Sequence, residues 1–426
     1  MLNQTRYDVA IVGAGTAGSA AALHCARLGL STVCLDRQPH GQAGAHWLNG
    51  VPGWMFSAAG LVQPVGDELV GNREPFHMLA GHGPARIIIT DHDLLDVDMG
   101  LLVKRLQSLA EDAGAELRGG VTVGALTEDG LETSAGVVRA RWFVDGSGMS
   151  GARLLNQPRV TADDICSAAQ EVRMVTNRRA ALRYFRGYGV PEGQTLAFTG
   201  TAGGFSTVNL TLRGDRVALL TGSIPAHGYP SGRRLISELV DANPWIGERV
   251  SGGHRSIPLR RPFDRLASDR VALIGDAACQ VFPAHGSGIG PGLIAAKVLA
   301  EELADDGSPH TYAQHWMRQW GAILAVADQF RRFSEKLDVA DLAKLMGSGL
   351  IGPASAARAL DELPPQPSIP ALAAALRGVM REPVMAARLV PVVARSAALL
   401  AVYSRYPRHS AGLPAWIAAV RAAAAA

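Results

Sequence analysis

An α/β fold, with a parallel sheet at its start, an antiparallel sheet inserted into it and a helical C-terminal region, follows from three features of this 426-residue chain. The first is a short apolar run from Tyr7 to Val12, then Gly13-x-Gly15-x-x-Gly18, a helix of small apolar residues, and a second strand that ends in Asp36. The second is a pair of later apolar strands, one closing on Asp145-Gly146 and the other on Gly275-Asp276. The third is a change of period: strand-like runs dominate between about 153 and 265, and helical spacing takes over from about 308.

The opening unit reads as a Rossmann-like βαβ that binds a dinucleotide. Gly13 permits the tight turn, Gly15 lets the backbone approach a pyrophosphate, and Gly18 allows close helix–strand packing. The helix N-terminus supplies amide donors and a favourable dipole for the phosphates, so Ala17 in its first turn is counted among the contacts. Asp36 falls about 20 residues on, where a carboxylate takes the adenosine ribose hydroxyls, with Arg37 beside it. That carboxylate argues against a 2′-phosphate, which leaves FAD or NAD. Residues 37–74 form a long insertion rich in Gly, Trp and Pro, expected to cross the bound ligand. Residues 86–90 are β-branched and strand-like, and 101–113 form an amphipathic helix with Leu101, Leu102, Leu106 and Leu109 on one face.

Gly146-x-Gly148-x-x-Gly151 repeats the dinucleotide string, but no acid-terminated βαβ follows, so it reads as a strand-end turn without a second nucleotide, with Asp145 at its edge counted among the cofactor contacts. Runs at 167–175, 205–212 and 216–223 then suggest an antiparallel substrate domain. The strand before Gly275 and Asp276 places a carboxylate at the carboxyl end of a parallel sheet, where open α/β sheets bind ligands; it could hold a polyol chain. After it, the glycines from Gly286 to Gly292 let backbone amides face a flat, electron-rich ring. The expected division is 1–152 and 266–306 for the nucleotide-binding domain, 153–265 for the inserted sheet and 307–426 for the helices. The one linker-like run is Pro364 to Pro367.

Composition narrows the function classes. Net charge is only +3, and no basic run is interleaved with aromatics, so nucleic acid is not expected as a partner. Cys25, Cys34, Cys166 and Cys279 lack metal or disulfide spacing, and His77, His82 and His92 are too irregular for a metal cluster. The first strand begins too early for a signal peptide, which places the chain in the cytoplasm by expectation. Residues 383–403 look like a membrane span, but Arg388, Pro391 and Arg395 interrupt them; a helical pair packed on the substrate domain is expected instead.

At the Gly13–Gly18, Asp145-Gly146 and Gly275–Ile289 segments the chain resembles the glutathione-reductase-type FAD superfamily of aromatic hydroxylases, tryptophan halogenases and geranylgeranyl reductases. The resemblance implies FAD as cofactor. It puts Gly13, Gly15 and Gly18 at the pyrophosphate, Asp36 at the adenosine ribose, Asp276 at the ribityl or pyrophosphate region, and Gly288 and Ile289 at the pyrimidine edge of the isoalloxazine. Pro283 and Gly286 belong to the loop expected on the re face of that ring. The hydroxylase form carries His after Gly-Asp-Ala-Ala, where this chain has Cys279.

A halogenase of this superfamily needs a lysine reached from the region after the first βαβ, and this chain has none before Lys104. It also lacks Trp-x-Trp-x-Ile-Pro. Oxygenation and reduction remain. The leading expectation is a monooxygenase that hydroxylates an aromatic substrate through a C4a-hydroperoxyflavin, the substrate free or a protein-bound tryptophan as in quinohemoprotein amine dehydrogenase biogenesis. Electrons would come from NAD(P)H or a partner reductase. The alternatives are an isoprenoid reductase of geranylgeranyl type, or a non-catalytic FAD-bound scaffold. His285, Trp54 and His46 are the candidate catalytic residues. His285 either orients the substrate or is a loop histidine bonded to backbone, and the tryptophans of the insertion either stack on the ring system or wedge the loop onto the core.

Overall fold

The computed structural model describes residues 6–305, 307–364, 366 and 369–425. The linker-like run at 364–367 lies partly outside them.

The first strand, Arg6–Val12, is apolar on both faces and is covered on both. Val9, Ala10 and Ile11 are fully buried, as expected for a central strand of a parallel sheet. It pairs with Thr32–Leu35 on one side and Gly136–Asp145 on the other, and the parallel core extends to Glu116–Arg118 and Val271–Leu273. The outer half of Gly136–Asp145 turns to antiparallel pairing with Leu131–Thr133, which pairs with Val123–Leu126. Helices Thr16–Arg27, Met99–Asp112 and Ile289–Ala304 share one apolar core with this sheet. In the second of these the buried face is Met99, Leu102, Val103, Leu106 and Ala110. Leu101 is exposed, so the predicted stripe was rotated by about one residue.

The inserted domain is a seven-stranded sheet in the order Ile246–Pro258, Ile165–Val175, Arg216–Ser223, Ser206–Arg213, Thr195–Thr199, Phe76–Ala80, Arg86–Ile89. Two helices, Arg178–Gly187 and Gly232–Ala242, pack on it through Phe185, Leu235 and Ile236. The last two strands correct the expected division: they come from within 1–152, and Phe76–Ala80 joins in parallel to Thr195–Thr199. A pairing across so many residues leaves no local trace in sequence. A third sheet, Leu48–Pro52, Leu94–Asp98 and Leu69–Asn72, is built from the long insertion.

Beyond residue 308 the described chain is helical. Pro383–Tyr403 is a single helix rather than the expected pair, because Pro391 and Ala387 lie on its exposed side, where the carbonyl freed by proline stays open to water. By length and composition this helix could cross a membrane, and 28% of its most apolar 18-residue stretch is buried.

Candidate active site

Backbone contact, not side-chain chemistry, decides the first part of the site. Gly13 has φ +101°, and a Cβ there would stand 2.4 Å from the Gly146 carbonyl oxygen. A Cβ on Gly18 would stand 1.7 Å from the Gly13 oxygen. Only glycine lets helix, first strand and Gly136–Asp145 strand meet this closely. Gly15 differs: its nearest neighbour would be Gly44 Cα at 3.6 Å, so its open side is free for a ligand. No side chain caps the helix that follows, and its first turn carries no acid. Its amides thus remain donors for an anion.

Asp36 stands at the end of the second strand, where its carboxylate accepts from Ala14 N at 2.7 Å and Gln38 N at 2.8 Å. Each oxygen keeps a lone pair for a ribose hydroxyl. Arg37 is exposed. Ala17 is a spacer: a Cβ on Gly275 would lie 3.0 Å from its methyl, and one on Gly292 3.2 Å away. That methyl sets the gap between the first helix and the second half of the site. Asp145 is corrected. It is fully buried and its carboxylate accepts from Ser147 N, Ser147 Oγ, Leu154 N at 3.0 Å and Gln157 Nε2, which ties down the following loop and leaves it unable to face a cofactor.

Asp276 is the opposite case. Its carboxylate makes no hydrogen bond among the described residues, and a Cβ on Gly288 would stand 3.1 Å from Oδ1. Desolvation raises it to about 6, against a smaller pull from Arg255. A partly exposed carboxylate without a protein partner, facing the uncapped start of Ile289–Ala304, is what a ligand's hydroxyl chain would complete. Arg255 reaches over from the inserted sheet and donates to Gly44 O at 2.8 Å, and Gln170 makes a reciprocal pair with the Leu48 backbone at 2.6 and 2.7 Å. The inserted sheet is thereby clamped over the segment that follows the first βαβ unit.

The loop from Phe282 to Ser287 is closed by an antiparallel bridge between those two residues, with Pro283 buried and Gly286 at φ +80°. Ile289 starts the helix behind it. His285 is solvent-exposed, yet protein surrounds it closely enough that desolvation pushes the imidazole down to about 4. Its Nε2 lies 3.1 Å from Ala359 O, which requires the Nε2–H tautomer, so the ring is committed to backbone. Trp54 is also committed: its indole N–H donates to Asp361 O at 2.9 Å, and it stacks on Trp320 at 5.7 Å. His46 is exposed, bonded to Gln42 O and beside Gly100. Cys279 is buried in a left-handed turn, and burial pushes its thiol up to about 12, so it is no nucleophile.

Sequence reasoning missed the segment 359–362. Ala359 O holds His285, Asp361 O holds Trp54, and Asp361 Oδ1 accepts from Asp93 N at 2.7 Å. These bonds bring Glu362 against the Phe282–Ser287 loop, 2% exposed and, among the described residues, without a partner for either oxygen. Nothing in its neighbourhood in sequence marks it.

The cradle of glycines, the two uncapped helix starts and the orphaned Asp276 carboxylate fit an extended FAD. A family model described as FAD dependent oxidoreductase matches residues 8–66. The chain is 28% identical over 380 residues to digeranylgeranylglycerophospholipid reductase 2 of Methanothermobacter thermautotrophicus, covering 80% of this chain and 91% of the relative. It is 25% identical over 450 residues to digeranylgeranylglycerophospholipid reductase of Sulfolobus acidocaldarius, covering 97% and 96%. In fold it is similar to a geranylgeranyl bacteriochlorophyll reductase-like protein from Thermoplasma acidophilum, with TM-score 0.73, 16% identity, and 91% and 99% coverage. The chain is a flavin-dependent oxidoreductase whose cofactor is FAD.

Proposed function

We propose that the protein reduces carbon–carbon double bonds of an isoprenoid chain. The observation that carries this reading is the extent of the likeness to the Sulfolobus reductase, which runs through the inserted sheet and the C-terminal helices as well as the nucleotide-binding segments. Bound FAD supplies the two-electron chemistry. Gly15 and the first turn of Thr16–Arg27 would hold the pyrophosphate, Asp36 the adenosine ribose, and Asp276 the ribityl hydroxyls. Gly288 and Ile289 would present amides to the pyrimidine edge. His285 and Trp54 would act as struts that fix the ring-end wall, since His285 Nε2 and the Trp54 indole N–H both bond to the 359–361 backbone.

The oxygenating reading, hydroxylation of an aromatic carbon such as that of a protein-bound tryptophan, shares this fold. It has no comparable support along the chain. The test is anaerobic: protein reduced with dithionite is mixed with geranylgeranyl diphosphate, and flavin reoxidation is followed together with product mass. One H2 gained per double bond without oxygen supports the reading. Turnover that requires oxygen and adds an oxygen atom to an aromatic compound would overturn it.

A further inference from the structure

We propose that Glu362 is the acid that delivers the proton when a substrate double bond is reduced, placed at the ring-end loop by the bonds that hold residues 359–361 and left without a protein partner of its own. The proposal rests on the reductase reading above and adds a catalytic residue to it.

The case begins with backbone geometry. Helix Pro353–Leu360 ends in a Schellman motif, with Glu362 N donating to Ala359 O at 3.1 Å and Leu363 N to Arg358 O at 2.9 Å. The left-handed residue of that motif is usually glycine; here it is Glu362, at φ +56°. The side chain is then buried with both carboxyl oxygens unpartnered, which is a second cost at the same position. It lines a cavity of about 10 Å³ with Met55, Pro291, Ile294, Trp316 and Trp320. Ser287, on the Phe282–Ser287 loop, has a buried hydroxyl that stands close enough to the carboxyl to lower its pKa as a hydrogen-bond donor would, yet the pair misses hydrogen-bond geometry and both groups stay unpartnered among the described residues. Two orphaned polar groups, one from the loop and one from the C-terminal region, meet beside the start of Ile289–Ala304.

The surroundings keep the carboxyl neutral. Desolvation raises it to about 8, the Asp361 charge adds to this, and Ser287 opposes it. The other titratable groups nearby are His285 on the loop, which is neutral at pH 7, and Asp91, His92 and Asp93, which act on Asp361. The remaining cavity lining carries no charge. At neutral pH Glu362 is therefore a proton donor in a dry site. In the reaction one π bond is replaced by two C–H bonds. One hydrogen arrives with its electron pair from reduced flavin, and the proton comes from Glu362. The carboxylate recovers its proton from solvent, and oxidised FAD is reduced again by NAD(P)H or a partner reductase.

Two measurements test this. Infrared spectra of the protein at pH 7 should contain a protonated-carboxyl band that is absent from Glu362→Gln; no such difference would overturn the proposal without reference to activity. In the anaerobic prenyl assay, Glu362→Gln should bind and reduce FAD normally but turn over about 10²-fold more slowly or worse. The wild-type rate should fall as pH rises through about 8, and that limb should vanish in the variant. Wild-type reduction with an unimpaired Glu362→Gln defeats the proposal alone, whereas a wild type inert toward prenyl chains defeats the reductase reading and this proposal with it. Should Glu362→Gln fail to fold, Glu362→Asn takes its place, since its amide delivers no proton and asparagine tolerates the left-handed position: an unchanged rate and limb would overturn the proposal.

Discussion

Asp276 and Asp145 are both acids at the ends of parallel strands, and only one is free to bind. Replacing Asp276 with alanine removes an unpartnered acceptor, so the fold should survive while FAD binds about 10- to 100-fold more weakly, read by fluorescence titration. In the wild type, affinity should fall as pH drops through about 6, where the carboxylate becomes neutral and loses its charge-assisted bonds. Glu362 predicts a stability effect of definite sign. Its folded-state value lies above the unfolded one, so folding takes up a proton between about 4.5 and 8 and stability declines as pH rises through that window. Glu362→Gln should flatten this slope, with a midpoint in urea no better than wild type at pH 5 and higher at pH 9. The position of Asp276 at a strand end was legible because a strand and a glycine announce it. Asp145 was misread from the same pattern, since sequence does not show that Ser147 and Leu154 turn back onto it. Glu362 was invisible because its meaning lies in contacts with residues that precede it by about 75 to more than 300 positions.

Within the βαβ element, two glycines of one motif do different work. Gly18→Ala drives a methyl into the Gly13 carbonyl and should cost about 1–3 kcal/mol or more of stability, measured by thermal melting. Gly15→Ala meets nothing closer than 3.6 Å and should melt near wild type, yet lose FAD because its methyl occupies the pyrophosphate's approach. Equal melting losses for the two would contradict this division. The motif itself was readable because helix, strand and turn are all local. Strands Phe76–Ala80 and Arg86–Ile89 were not, since their partner is Thr195–Thr199 in the other domain. The helical pair expected over 383–403 proved to be one helix for a different reason: Pro391 lies on the exposed side, where the carbonyl it frees stays open to water.

Across the molecule, the helical region is joined to the inserted sheet by a buried ion cluster. Arg331, with a fully buried side chain, pairs with Asp164 at 2.7 Å, Asp328 at 2.9 Å and Glu335, and Arg332 joins Asp164 at 3.0 Å. Arg331→Met would strand these carboxylates and should destabilise the protein by about 3–5 kcal/mol in urea denaturation. The interlaced sheet has a related effect: residues 1–152 expressed alone would expose the edge of Phe76–Ala80 and should be insoluble or aggregated. A monomeric, well-folded fragment would count against that. The three-part architecture was readable from period and composition, but the interlacing was not, because it is a property of the closed chain.

The order in which a ribosome delivers this chain gives the divided site a timetable. The half proposed to hold adenosine is synthesised within the first 36 residues, whereas the turn at Gly275 and the helix start at Ile289 emerge far later, and residues 359–362 later still. A nascent chain can therefore cradle at most one end of its prosthetic group. Flavin capture should be an event of the finished polypeptide, and cells starved of riboflavin should accumulate full-length, colourless protein that turns yellow on later supplementation.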